Sequence, residues 1–315
     1  MSLNMVQDEK STAPKTIDVT PLTLHIGAEI GGVDLTKPVP AETIDEIREA
    51  LVQWKVVFFR DQHIDHQQHV DFSRQFGELT PGHAVYGNVE GFPEIYSVSK
   101  DRKNVRYKGE MAFTPWSGWH ADITAAVNPP AASMLRGDIV PPYGGDTMWT
   151  NLAAAYQALS PTLRGFLDGL RTVHQFNPPP GVETSQEYEE KMRRNRLITE
   201  HPMIRVHPES GERVLYVSPS FLKSIVDVTP TESESLLALL KEHAVRPEFT
   251  VRFKWEPGSI AFWDNRSTAH LAPRDIYTSD FGREFYRTTL VGDIPVGVDG
   301  QPSKSIQGGP VLAVA

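Results

Sequence analysis

The side chains best suited to chemistry in this sequence are two histidines and a carboxylate. Trp119-His120-Ala121-Asp122 sets an imidazole and a carboxylate two positions apart. On an extended backbone, residues i and i+2 share a face, so His120 and Asp122 would offer a nitrogen and an oxygen side by side. Two ligands are too few to hold a metal. The best third is His270, at the end of Trp263-Asp264-Asn265-Arg266-Ser267-Thr268-Ala269-His270 and beside a predicted strand. Two histidines and one carboxylate on one face of an octahedron leave three positions open, the arrangement of non-haem Fe(II) oxygenases. Two open positions suit a bidentate 2-oxo acid and the third suits dioxygen. Taken singly, H-x-D is common by chance and His270 is ordinary. His174, His201, His207 and His243 read as surface or internally satisfied structural histidines.

Composition narrows the field. There is no cysteine, which excludes disulfides, zinc–thiolate sites, iron–sulfur clusters and thiol nucleophiles. The formal net charge of -9 argues against a nucleic-acid partner. A few buried arginines could still make one pocket anion-selective. The N-terminus is polar, without the apolar core of a signal peptide. No apolar run approaches the ~20 residues of a membrane span. A cytoplasmic protein without membrane contact is expected.

The elements that must position these side chains are mostly short strands. Residues 1–17 read as a disordered tail. Leu22, Leu24 and Ile26 alternate like a strand before Gly27. Ile44, Ile47, Leu51 and Trp54 recur at helical spacing over 41–54. Val56-Val57-Phe58-Phe59 reads as a buried strand, and 66–76 as a helix stopped by Gly77. Residues 80–118 read as a long irregular loop, of a length usually found in functional segments. Residues 131–135 and 147–149 read as strands, and 151–170 as helix broken at Ser160-Pro161. Residues 177–200 are Pro-rich, then charged, and read as a lid or insertion. Strands follow at 203–207, 214–217, 249–255, 259–263 and 285–291, with a helix at 231–243. One β-rich α+β domain over 18–296 is predicted, a jelly roll decorated with helices, with 297–315 as a C-terminal tail.

The text around the metal candidates resembles the TauD/TfdA family of 2-oxoglutarate-dependent dioxygenases, in the taurine dioxygenase and alkylsulfatase branch. The resemblance rests on several segments in order. These are Ile26-Gly27-Ala28, Gly32-Val33-Asp34-Leu35-Thr36, Val56 through Gln62, and Tyr143-Gly144-Gly145-Asp146-Thr147-Met148-Trp149. Trp263-Asp264-Asn265-Arg266 with His270 follows, and then Arg283 and Arg287 before Thr288-Thr289-Leu290-Val291-Gly292-Asp293. It runs from about residue 18 to 296 and implies a double-stranded β-helix, in agreement with the jelly roll.

By that resemblance, His120, Asp122 and His270 match the Fe(II) ligands, and 2-oxoglutarate and O2 are the cosubstrates. Thr147 and Arg283 match the residues that bind the far carboxylate of 2-oxoglutarate. Arg287 matches an arginine near the 2-oxo-acid end that also faces a sulfur oxyanion. His83 and the backbone N–H of Ile123 match contacts to the same sulfonate or sulfate. Tyr86, Trp116, Phe176 and Phe221 match positions in the pocket wall. An always-charged planar guanidinium suits a carboxylate, which it can bind through two hydrogen bonds.

Two departures stand out. Ala121 replaces a threonine common in taurine enzymes, at a position expected to point away from iron. Trp116 stands where those enzymes carry a polar amide near the substrate amine. An aromatic wall favours an alkyl chain, so hydroxylation beside the sulfur group of an alkyl sulfate is the favoured reading. That would release aldehyde plus sulfate, with succinate and CO2. Taurine or another sulfonate, releasing sulfite, is the alternative. The resemblance also leaves open aryloxyacids and amino-acid side chains as substrates, and a non-catalytic jelly-roll metal binder is the rival from another class. A homo-oligomer, dimer or tetramer, is expected.

Overall fold

The computed structural model describes residues 16–314 except 84–85, 101–104, 108–113 and 177–181, and gives only the backbone of 105–107 and 182–184. The framework is a seven-stranded sheet. Its order is Asp18–Pro21, Ala28–Gly31, Val56–Phe59, Ile260–Asp264, Ala132–Ile139, Glu284–Thr289 and Tyr96–Ser99. A three-stranded sheet of Thr250–Phe253, Thr147–Asn151 and Thr268–Leu271 faces it. Strand alternation decides which side chains go where. Phe58, Leu135, Ala261, Trp263 and Phe285 point inwards and meet Trp149, Val251 and Phe253 of the small sheet. Their neighbours Val57, Phe59, Met134, Ile260 and Phe262 point outwards, under the helices Ala41–Trp54 and His66–Arg74. The large sheet is therefore apolar on both faces, which is why Val56–Phe59 reads as an unbroken apolar run. This is the expected α+β jelly roll, a double-stranded β-helix decorated with helices. No helix among the described residues is long and apolar enough to cross a membrane.

Several boundaries differ from the sequence expectation. Residues 22–26 bend rather than extend. The flanking strands Asp18–Pro21 and Ala28–Gly31 pair instead, with Gly27 at φ +86° between them. Residues 1–15 lie outside the described residues. Thr16 and Ile17 do not belong to a disordered tail, since their backbone N–H groups donate to the Glu46 carboxylate. The 80–118 region contributes an edge strand, Tyr96–Ser99, to the large sheet. A second strand from it, Val105–Tyr107, pairs with Val182–Thr184, so the long loop and the proposed lid meet. The broken helix is two, Leu152–Gln157 and Pro161–Leu167, the second capped by Ser160.

The described part of the expected C-terminal tail, 297–314, is tied to the domain. Lys304–Gln307 pairs antiparallel with Ile198–Pro202, and the Val314 N–H donates to the Leu79 carbonyl. All four residues of that strand are exposed, so only backbone hydrogen bonds hold it, and no apolar pattern announces them.

The buried histidines carry a prediction. His174 is fully buried between the hydroxyls of Thr124 and Thr172, at 3.0 and 3.1 Å. His201 meets the Ser303 hydroxyl at 2.6 Å and donates from Nε2 to the Thr124 carbonyl at 2.8 Å. Burial lowers His201 and His69 to about 3, and holds His174 well below its usual value. The folded protein thus binds fewer protons than the unfolded chain between these values and about 6.5. Stability should be level with pH above about 6.5 and fall on acidification towards 3. Urea midpoints measured from pH 8 to 4 test this, and a midpoint unchanged between pH 7 and 5 would contradict it.

Candidate metal and cosubstrate site

His270 sits on the Thr268–Leu271 strand of the small sheet, one strand from Trp149 at the centre of the core. His120 pairs with it backbone to backbone. The His120 N–H donates to the His270 carbonyl at 2.9 Å, and the His270 N–H returns the bond at 2.7 Å. The rings lie 4.2 Å apart. The chain then turns, so the extended strand expected for His120 and Asp122 is a single bridge followed by a turn. Ile123 has φ +43°, a left-handed conformation that a β-branched residue rarely adopts. The next residue is fixed from two sides, the hydroxyl of Thr124 by His174 and its carbonyl by His201.

The turn brings the three expected ligands together. Asp122 Oδ1 lies 4.0 Å from His120 Nε2 and 3.9 Å from His270 Nε2. All three ligand atoms fall within 4.8 Å of one another. Burial favours neutral imidazole at His120 and, more strongly, at His270, where the facing His120 ring adds to it. His120 stays 33% exposed, yet the surrounding protein is enough to disfavour its cation. Burial alone would raise the Asp122 carboxyl, but Arg287, His270, His120 and the Ser133 hydroxyl together outweigh it, and the group lies well below the usual carboxylate range. Arg287 Nη1 donates to Asp122 Oδ1 at 2.7 Å, and its guanidinium lies 4.5 Å over Tyr96.

The residues present fit Fe(II). His120 Nδ1 lies 3.0 Å from the Gly118 carbonyl, which can only accept. Nδ1 therefore carries the proton, and the Nε2 lone pair is left for a metal. Two neutral nitrogens and one ionised oxygen match a facial N,N,O set.

Thr147 and Arg283 belong to an adjoining region. Thr147 opens the middle strand of the small sheet and is buried. Arg283 precedes the strand that carries Arg287, and both are buried on the face of Phe285, as their spacing predicts. The guanidinium of Arg283 lies 4.0 Å over that ring, and Nε donates to the Gly145 carbonyl at 3.1 Å. Gly144 and Gly145 take φ +74° and +67°. A Cβ at Gly145 would stand 3.2 Å from Arg283 Cδ and Nε, so this turn requires glycine.

The expected substrate residues are partly assembled. His83 lies 4.5 Å from the Tyr86 ring and 5.3 Å from Tyr96, which in turn carries Arg287. Tyr86 reaches Tyr188 of the helix Gln186–Arg194 at 6.0 Å. Phe176 and Phe221 pack at 5.3 Å. The segment before Phe221 backs onto the metal ligands, since the Ala121 N–H donates to Ser218 Oγ at 3.0 Å. Trp116 lines a separate groove of about 670 Å³, with Lys223, Leu237 and Lys241.

Sequence reasoning missed four residues. Trp255 Nε1 donates to Thr147 Oγ1 at 3.0 Å. Ser133, Asn265 and Trp263 form a chain of hydrogen bonds that ends on Asp122. The available signal was a lone small polar residue, Ser133, in the otherwise apolar inward face of a strand.

The chain is similar to known proteins along most of its length. The family described as taurine catabolism dioxygenase TauD, TfdA family, matches residues 18–289. An alpha-ketoglutarate-dependent sulfate ester dioxygenase of Pseudomonas putida is 39% identical over 314 residues, covering 95% of this chain and 98% of that one. An alkylsulfatase of Acinetobacter baylyi is 34% identical over 292 residues, covering 90% and 88%. A crystal structure of a taurine dioxygenase from Burkholderia xenovorans is 60% identical, with a TM-score of 0.83, covering 94% of this chain and 96% of that one.

Proposed function

Because the chain belongs to the TauD/TfdA family and is a 2-oxoglutarate-dependent dioxygenase, we propose that it hydroxylates the carbon beside a sulfate ester or sulfonate, with an alkyl sulfate preferred. The observation that carries this reading is the guanidinium of Arg287, buried against the His120, Asp122 and His270 cluster. A cation built into the wall of a metal site suits an anionic substrate.

When bound, Fe(II) with 2-oxoglutarate and O2 supplies the oxidation, in which 2-oxoglutarate becomes succinate and CO2 and one oxygen atom enters a substrate C–H bond. The chain's own residues bind and orient. His120 and His270 would hold the iron through Nε2, and Asp122 through a carboxylate oxygen. Thr147 and Arg283 would take the far carboxylate of 2-oxoglutarate. Arg287, His83 and the Ile123 N–H would take the sulfur oxyanion. Phe176, Phe221 and Tyr86 would exclude water and line the path of the alkyl chain. The hydroxylated sulfate ester then breaks its C–O bond to sulfate and loses the hydroxyl proton, leaving an aldehyde. A sulfonate would break its C–S bond and release sulfite.

The sulfate ester dioxygenase and alkylsulfatase named above support the alkyl sulfate preference. The similarity to a taurine dioxygenase favours the second reading, taurine itself. Incubation with Fe(II), 2-oxoglutarate and a medium-chain alkyl sulfate should form succinate with inorganic sulfate. Sulfite from taurine at comparable kcat/KM would reverse the preference.

Trp255 adds a prediction. Its indole N–H occupies a lone pair of Thr147 Oγ1, so the single hydroxyl proton is directed to another acceptor, the cosubstrate carboxylate in this reading. Trp255→Phe should raise the KM for 2-oxoglutarate about 3–10-fold, the value of one hydrogen bond. The KM for alkyl sulfate should not move, and a change confined to alkyl sulfate would place Thr147 elsewhere.

A further inference from the structure

Asp122 has a second carboxylate oxygen, and its surroundings are fully specified. Oδ2 lies 2.8 Å from Ser133 Oγ. Ser133 Oγ lies 2.9 Å from Asn265 Nδ2, and Asn265 Oδ1 lies 2.9 Å from Trp263 Nε1. Trp263, Asn265, Ser133 and Asp122 are 1%, 2%, 0% and 3% exposed, so water does not compete for these bonds.

Only one polarity satisfies the chain. An indole N–H can only donate, so the acceptor end of the Asn265 amide must face Trp263. The amide NH2 then faces Ser133 and donates to it. The one proton of Ser133 is left for Asp122, whose ionised carboxylate can only accept.

Two features of the fold hold this chain in register. Ser133 and Trp263 are cross-strand partners in the large sheet. Asn265 sits in the turn after that strand, which Asp264 pins. The Asp264 carboxylate accepts from the Arg266 N–H at 2.8 Å, from Arg266 Nη2 at 2.7 Å and from His207 Nε2 at 2.9 Å. The Trp263 ring also packs against His270 at 4.9 Å, so one indole supports two of the three candidate ligands.

We propose that Ser133, Asn265 and Trp263 are positioning residues that fix the rotation of the Asp122 carboxylate, committing Oδ2 to Ser133 and turning Oδ1, which also accepts from Arg287 Nη1, towards the two imidazoles for the metal. The chain acts on the metal through Asp122 and touches neither cosubstrate nor substrate. It rests on the triad as the metal site, and not on which sulfur compound is oxidised.

Co(II) titration of the full-length protein by calorimetry, without 2-oxoglutarate or substrate, reads this directly. Ser133→Ala should weaken Co(II) binding about 10–100-fold, the effect of losing an outer partner of a metal ligand. Trp263→Phe keeps a ring against His270 but removes the first donor, and should weaken binding about 3–10-fold, as for one hydrogen bond. The double variant should bind no more weakly than Ser133→Ala alone, because the chain is already cut at its last link. Melting temperatures of the metal-free variants follow fold integrity. Losses that multiply in the double variant, or Co(II) affinity unchanged in either single variant, would overturn the relay. His270→Ala is the control for the triad. If it binds Co(II) as the parent does, the triad fails and the relay with it. If it loses Co(II) while Ser133→Ala does not, only the relay fails.

Discussion

Replacing Asp122 with alanine should abolish succinate formation and, separately, cost the metal-free protein about 3–5 kcal/mol of stability. The two losses have different origins. Activity goes because the only carboxylate of the ligand cluster is removed. Stability goes because Arg287 is 8% exposed and its guanidinium is left without its counter-charge. The neighbouring imidazoles are held neutral by burial and cannot compensate. The double variant Asp122→Ala with Arg287→Met separates the effects. It should regain most of the stability, since a buried pair can be exchanged for apolar side chains, and none of the activity. Denaturant unfolding of metal-free protein gives the first quantity and a succinate assay the second. An Asp122→Ala protein as stable as its parent would mean that Arg287 finds another anion or reaches water.

Arg283→Ala should raise the KM for 2-oxoglutarate about 10–150-fold, corresponding to about 1.5–3 kcal/mol for a hydrogen bond to a charged group. The guanidinium is pre-aimed by its bond to the Gly145 carbonyl and by the Phe285 ring beneath it. Little ordering is left to do when a carboxylate arrives. Arg283→Lys should recover only part of the loss, because an ammonium cannot reproduce the planar fork or the stacking. The KM for alkyl sulfate should stay level. A rise confined to alkyl sulfate would exchange the roles of Arg283 and Arg287.

The sequence exposed the site unevenly, for physical reasons. His120, Asp122 and His270 were readable because metal ligation demands particular residue types and because the motifs around them resemble a known family; singly, each is ordinary. Arg283 and Arg287 were readable through the resemblance, from their place between His270 and Thr288-Thr289; their spacing alone put them only on one strand face. The backbone around Asp122 was not readable. An i, i+2 pair suggests a strand, whereas the left-handed Ile123 is imposed by Thr124, His174 and His201 from remote parts of the chain. Ser133 gave only a weak signal, a lone serine on an apolar strand face, because a serine in a strand has no distinctive spacing. Its role exists only through the register that sets it opposite Trp263. The jelly roll itself was legible from two-residue alternation and short apolar runs. The exposed strand Lys304–Gln307 was not, because backbone pairing without burial leaves no pattern in side-chain types.

The reciprocal backbone pairing of His120 and His270 bears on how the enzyme acquires its metal. These two residues lie far apart along the chain, so the bridge between them closes a long loop. A metal ion meeting the nascent chain finds no paired ligands, only scattered histidines of low affinity. The site is therefore absent from the early stages of folding, when loop-closure entropy opposes contacts this distant in sequence. Its binding energy should appear almost wholly in the unfolding rate, leaving the folding rate unchanged, as for any interaction that forms after the transition state. The ion then serves as a latch on a finished barrel rather than a seed for it.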